Sequence, residues 1–238
     1  MLGPREMERL GGLIRDRFRV HPEAEWTVEM APAFVTRRKL EVLRSLGVNR
    51  ISLGVQSFDP ETLEDLGRQH TREQVIRSME CCRAAGFENW NLDLIFGSPR
   101  QDLRQWREDL EAALQEKPAH ISTYCLTFEE DTALYLKLAS GQIRKNVERE
   151  TEYYEMAWRI LEDHGYAQYE VSNFARPGYA CIHNLNTWDM REWIGLGPSA
   201  ASQYQGRRYT NLPDLDAWKQ GLQQGEHKWI ECFESTPL

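Results

Sequence analysis

The chain has 238 residues, 41% hydrophobic and 28% charged, which suits one moderate domain or one domain with an appendage. A formal charge of −8, with only short basic runs at 34–40 and 205–209, argues against a nucleic-acid partner. No apolar run nears the roughly 20 residues of a bilayer span and the first ten residues lack signal-peptide features, so neither a transmembrane segment nor a signal peptide is expected, while peripheral membrane association stays open.

Taken in chain order, Pro4 starts a helix with Met7, Leu10, Leu13, Ile14 and Phe18 at helical spacing. A strand is expected at 25–30, then a helix carrying Leu40, Leu43 and Leu46 that stops at Gly47. Residues 50–58 read as the next strand, with Asp59-Pro60 capping a short helix. Thr71 and Gln74 form a capping box for a helix running to Gly86. A strand at 89–97 follows. Leu103, Trp106, Leu110 and Leu114 then mark an amphipathic helix that ends before Pro118. The fourth strand is expected at 120–127. This βα alternation implies an α/β fold with a parallel sheet, and no GxGxxG signature of a dinucleotide fold is present.

After residue 128 the pattern changes, so 1–128 is read as one domain and 129–238 as an α+β extension. A helix is expected at 148–164, one strand at 166–174, and a short helix around Leu215–Leu222. The Gly-rich stretch at 193–204 suits either a plain turn or a close backbone approach to a ligand.

The strands are unusually polar. Thr27 and Glu29 share one face, as do Ser52, Gly54 and Gln56, and Asn91 shares one with Asp93. A parallel strand covered on both sides should be apolar throughout, and burying Glu29, Gln56 and Asp93 unpartnered would cost several kcal/mol. Two readings follow: contact with a polar ligand at the mouth of a barrel, or an internal hydrogen-bond network.

The segment 180–188, ACIHNLNTW, places Cys181 and His183 two positions apart and closes on Trp188. It can be a metal site, a cofactor contact or a packed turn. Cys81, Cys82, Cys125, Cys181 and Cys232 contain no CxxC pair, so a zinc ribbon or self-contained iron–sulfur module is not visible. An odd number of scattered cysteines reads as reduced thiols of a cytoplasmic protein.

In order along the chain, RISLGVQSFDPETLEDLGRQH, NLDLIFGSPRQ, ISTYCLTFEEDT, YEVSNFARPGYACIHNLNTW and GLGPSA resemble the radical SAM proteins related to oxygen-independent coproporphyrinogen III oxidase. Within that group they are most similar to the HemW-type haem chaperones. The resemblance covers about residues 5–222 and implies a partial TIM-like (β/α) barrel. It implies that Glu29, Gln56, Arg68 and Asp93 contact S-adenosylmethionine, although Ala31 stands where the family usually has Asn after its acidic residue.

The family's opening segments, a CxxxCxxC loop holding a 4Fe-4S cluster and a Gly-Gly-Thr-Pro motif, have no counterpart in the sequence. The barrel is therefore expected to lack its first two βα units, to bind S-adenosylmethionine weakly and to perform no radical chemistry. HNLNTW resembles the chaperones' HNxxYW motif with Thr187 in place of Tyr. The resemblance thus implies His183 as an axial haem-iron ligand, Trp188 as a porphyrin wall and Cys181 as an alternative thiolate ligand. Ala201 stands where many relatives carry a His. The expected function is haem binding and delivery to acceptor proteins. The alternatives are oxidative decarboxylation of coproporphyrinogen III in a longer parent protein, and a non-catalytic remnant.

Overall fold

A computed structural model describes residues 2–130, 132–226 and 228–234. It divides into two compact units, one up to Ala180 and one from Cys181 onward. The α/β alternation read from the sequence is present in the first unit. Helix α1 (Pro4–Arg17) leads to β1 (Thr27–Met30), α2 (Arg37–Ser45), β2 (Arg50–Gln56), α3 (Pro60–Asp65), α4 (Arg72–Ala84), β3 (Asn89–Phe96), α5 (Leu103–Gln115) and β4 (His120–Cys125). After residue 128 the same unit continues with α6 (Ala133–Ala139), α7 (Val147–Asp163), β5 (Ala167–Gln168) and β6 (Asn173–Ala175).

Local chemistry sets these boundaries. The Thr71 hydroxyl accepts from the Gln74 N–H while the Gln74 side chain accepts from the Thr71 N–H, and Asp102 and Gln105 repeat the device on α5. Asp59 caps α3 by accepting from the Thr62 N–H at 2.8 Å. Helices α1 and α2 approach closely because Gly11 has no side chain: a Cβ there would lie 2.6 Å from Leu46.

The sheet order is β1-β2-β3-β4-β6-β5, with β1 to β4 parallel and β6 and β5 antiparallel additions. One face is the core. Ile51, Leu53, Leu92, Leu94 and Phe96 project from it, fully buried, toward a layer containing Val75, Met79, Trp106, Leu110 and Leu161. Trp106 is the largest of these and donates its indole N–H to the Tyr153 carbonyl at 3.1 Å, so its one polar group is satisfied.

The structure corrects the sequence reading at 166–174, which is a hairpin of two short strands and not one strand. The alternation of YAQYEVSNF continues through a reversal that the Glu170 carboxylate stabilises, accepting from the Ser172 N–H at 3.0 Å and from the Asn173 amide. Strands β1, β2, β3 and β4 also end earlier or start later than their expected limits by one or two residues.

The second unit holds α8 (Ile182–Trp188), an antiparallel sheet of β7 (Ala201–Tyr204), β8 (Arg207–Asn211) and β9 (Trp229–Glu234), and α9 (Leu215–Gln223). None of the three strands was expected. The Gly-rich stretch packs against its own backbone: a Cβ on Gly195 would lie 2.1 Å from the Ala201 carbonyl oxygen. No described helix is long and apolar enough to cross a membrane.

Candidate functional site

The face of the sheet opposite the core carries polar rows fixed by register. Glu29 pairs with Ser52, Ser52 with Asn91, and Asn91 with His120; Asp93 pairs with Ser122, and Ser122 with Asn173. These side chains are bonded to one another. The Asn91 amide donates to Ser52 Oγ and to Asp93 Oδ1, each at 2.7 Å, and the Ser52 hydroxyl donates to Asp93 Oδ2 at 3.1 Å. Ser122 donates to Asn173 Oδ1 at 2.6 Å, and Asn173 in turn donates to Glu170.

His120 closes the row, with Nδ1 2.6 Å from Asn91 Oδ1 and Nε2 2.7 Å from the Tyr169 hydroxyl. Because the Asn91 oxygen can only accept, His120 carries its proton on Nδ1 and receives the Tyr169 hydroxyl at Nε2. Burial, helped by the Arg50 charge, holds His120 down at about 3. Burial pushes the Asp93 carboxyl above the ordinary range against the bonds from Asn91 and Ser52, and the nearby Glu29 charge adds to the rise. The polar face therefore carries an internal network, and Asp93 is already held within it by two bonds, one from Ser52 and one from Asn91.

Of the residues expected to meet S-adenosylmethionine, Glu29, Gln56 and Asp93 are brought onto this one face. Glu29 is exposed at the edge strand and close enough for its charge to act on Asp93. Arg68 lies apart, exposed in the α3–α4 loop, where it lines a cavity of about 730 Å³ with Asp65, Ile95, Tyr124, Cys125 and Tyr154. That cavity sits beyond the carboxyl ends of β3 and β4, where parallel α/β sheets bind ligands.

Gln56 is the most unusual of the four. It has φ = +69° and ends β2 beyond a register shift, with Gly54 and Val55 set against the single residue Asp93 of β3. The Ser57 N–H bonds back to the Val55 carbonyl at 2.9 Å, so Gln56 is the centre of a γ-turn of the strained positive-φ hand, a conformation costing on the order of 1–3 kcal/mol. Its side chain folds over Gly54, where a Cβ would lie 2.9 Å from Nε2.

His183 and Trp188 belong to the second unit. Both are exposed on α8, and Thr187 donates its hydroxyl to the His183 carbonyl at 2.9 Å. They are five positions apart, about 140° around a helix, so they occupy different faces. The segment exposes several large apolar side chains, Ile182, Leu185, Trp188, Met190, Ile194 and Leu196, interspersed with the charged Asp189, Arg191 and Glu192.

The thiols do not fit an iron–sulfur cluster. Cys81 and Cys82 lie within α4, Cys125 ends β4, Cys181 precedes α8 and Cys232 is in β9. Burial pushes the Cys82 thiol up to about 12 and that of Cys125 up to about 11, away from the thiolate a cluster needs. Among the described residues no three His, Cys, Asp or Glu side chains are grouped to hold a metal ion.

The radical SAM superfamily profile matches residues 2–113. The chain is 37% identical over 213 residues to heme chaperone HemW of Lactococcus lactis, covering 89% of this chain and 56% of that protein. It is 38% identical over 190 residues to HemW of Bacillus subtilis, and 37% over 198 residues to that of Escherichia coli, covering 79% and 83% of this chain. The chain thus spans about half the length of these relatives, 50% and 51% for the latter two. Among solved structures, Escherichia coli coproporphyrinogen III oxidase (HemN) superposes with a TM-score of 0.82 over 99% of this chain and 57% of that one, at 22% identity. That likeness shows the fold: the open α/β sheet corresponds to part of a radical SAM TIM-like barrel.

Proposed function

The chain is a member of the radical SAM superfamily through residues 2–113, and on that premise we propose that it acts as a haem-chaperone-like protein, binding haem and passing it to acceptor proteins. The carrying observation is that His183 is exposed on a short helix that also exposes the apolar side chains of Ile182, Leu185 and Trp188. Neutral imidazole suits haem iron, and a porphyrin would cover the exposed side chains of Ile182, Leu185 and Trp188. His183 would take the iron, and Trp188, about 140° away around α8, would reach at most the edge of the porphyrin. The relatives named haem chaperones support the same reading.

The polar face of the sheet would bind S-adenosylmethionine weakly. Glu29 and Gln56 would offer acceptors to hydroxyl and amino groups, and Arg68 would meet a carboxylate through its guanidinium. Asp93 would bind chiefly by ordering Asn91 and Ser52. An iron–sulfur cluster would supply the electron for reductive cleavage of S-adenosylmethionine. The thiols present do not fit one, so no radical step is assigned to these residues. A cytoplasmic setting with reduced cysteines accords with five free thiols.

Titration of the purified protein with haemin tests the proposal. A Soret band is expected, weakened in His183→Ala. An identical spectrum in that variant removes His183 as the ligand. The alternative of coproporphyrinogen oxidation draws only on likeness of fold to the oxidase.

A further inference from the structure

The strained turn at Gln56 is held from both sides by buried groups that touch no candidate ligand position. On one side, the Val55 carbonyl that receives the Ser57 N–H also lies 2.9 Å from His70 Nε2; a carbonyl only accepts, so His70 donates. On the other side, Asp109 reaches from α5. Its Oδ2 accepts the Ser57 hydroxyl and its Oδ1 accepts the Phe58 N–H, both at 2.7 Å. The Ser57 oxygen then accepts the Asp59 N–H at 3.0 Å, which ties the turn to the cap of α3. His70 and Asp109 are 7% and 2% exposed.

A non-glycine residue keeps a positive φ only when its surroundings over-determine it. Here the surroundings are identifiable: five hydrogen bonds within four consecutive residues, 55–58, anchored on a loop histidine and a helix carboxylate. Their combined effect is to turn the Gln56 carboxamide back over Gly54, the one position on β2 that leaves room for it. Had the chain only needed to leave the strand, glycine at 56 would do so without strain.

We propose that Asp109 and His70 are positioning residues, which act through Ser57 and Val55 to hold the Gln56 carboxamide over Gly54 in its ligand-facing orientation. The ligand-facing part rests on the S-adenosylmethionine reading above; the coupling of Asp109 to the turn does not.

The test is a thermal double-mutant cycle together with a ligand titration. Gln56→Gly relieves the strain and is expected to raise Tm by about 2–4 °C in the parent chain, the size of a roughly 1 kcal/mol gain for a chain of this length. With Asp109→Ala the turn relaxes, and the same substitution is expected to give no gain. Ser57→Ala serves in place of Asp109→Ala if the latter does not fold. Equal gains in both backgrounds overturn the coupling.

The side-chain amide resonance of Gln56 should shift in Asp109→Ala, Ser57→Ala and Gly54→Ala. It should stay put in Leu161→Ala, a core substitution that lowers stability elsewhere. A resonance that moves equally in Leu161→Ala reduces Asp109 to general support. S-adenosylmethionine added to millimolar concentration should bind about tenfold more weakly to Asp109→Ala, equivalent to one lost hydrogen bond. Unchanged affinity overturns the positioning role. A parent chain that binds none rejects the S-adenosylmethionine reading, while the thermal cycle still decides whether Asp109 governs the turn.

Discussion

His120 on β4 donates from Nδ1 to Asn91 on β3 across 2.6 Å, and that bond sets the direction of the bonds around it. With Nδ1 protonated, Nε2 must accept, and Tyr169 supplies the proton. Protonating Nε2 would reverse that bond, making the Tyr169 oxygen the acceptor, and would bury a charge beside Arg50.

Stability should therefore depend on His120 in acid. Its folded value of about 3 lies below the unfolded 6.5, so its stabilisation is fully present above pH 6.5 and is lost as pH falls toward 3. Each pH unit in that window is worth about 1.4 kcal/mol, so going from pH 6.5 to 5 should cost roughly 2 kcal/mol. Urea unfolding at several pH values checks this. His120→Gln should be less stable at pH 7 but should lack this slope. An equal slope in the variant would refute the assignment.

Asp109 should act in the opposite sense. Burial raises its carboxyl from 3.8 to about 6, against the bonds from Ser57 and Phe58; the Asp59 charge adds to the rise and Arg72 opposes it. The protonated form is favoured by folding, so its contribution is full below pH 3.8 and is lost as pH climbs through 6. The difference is on the order of 3 kcal/mol. Asp109→Asn should remove it. The acid slope from His120 should then appear steeper between pH 6 and 4, because the two effects offset each other in the parent chain.

The five thiols should separate by reactivity. Cys232 is exposed and should react promptly with an aromatic disulfide reagent at pH 8. Cys82, buried and raised to about 12, should react only on unfolding, and Cys125 should be slow. Counting released chromophore with and without urea checks the order. Prompt reaction of Cys82 would contradict the packing of α4.

The parallel sheet was legible because its signals are local. Capping pairs such as Thr71 with Gln74 mark helix starts, and Trp90, Leu92, Leu94 and Phe96 alternate cleanly. The hairpin at 166–174 was not legible, because alternation continues through its turn and the reversal depends on Glu170 meeting Asn173. The strands of the second unit are short and mostly polar, and their pairing is set by contacts distant in sequence. At the site, the shared polar face of Ser52, Asn91 and Asp93 was readable from alternation alone. The same rule applied to HISTY would have added His120, Ser122 and Tyr124. Asp109 was beyond reach: on the sequence it is one acid among several on an amphipathic helix, and only the packing of α5 under residues 57 and 58 gives it a role.

The bonded row from Ser52 through Asn91 to His120 also acts as a lock on strand alignment. Sliding β3 by one residue would turn Leu92 and Leu94 to the polar side and drive Asn91 and Asp93 into the layer occupied by Trp106 and Leu110. Apolar contacts alone tolerate sliding by two residues, since one leucine resembles another. Amide, hydroxyl and imidazole partners do not, because each donor matches one acceptor. The network therefore restricts which of several compact arrangements the chain can settle into, and substitutions within it should broaden the folded ensemble before they abolish it.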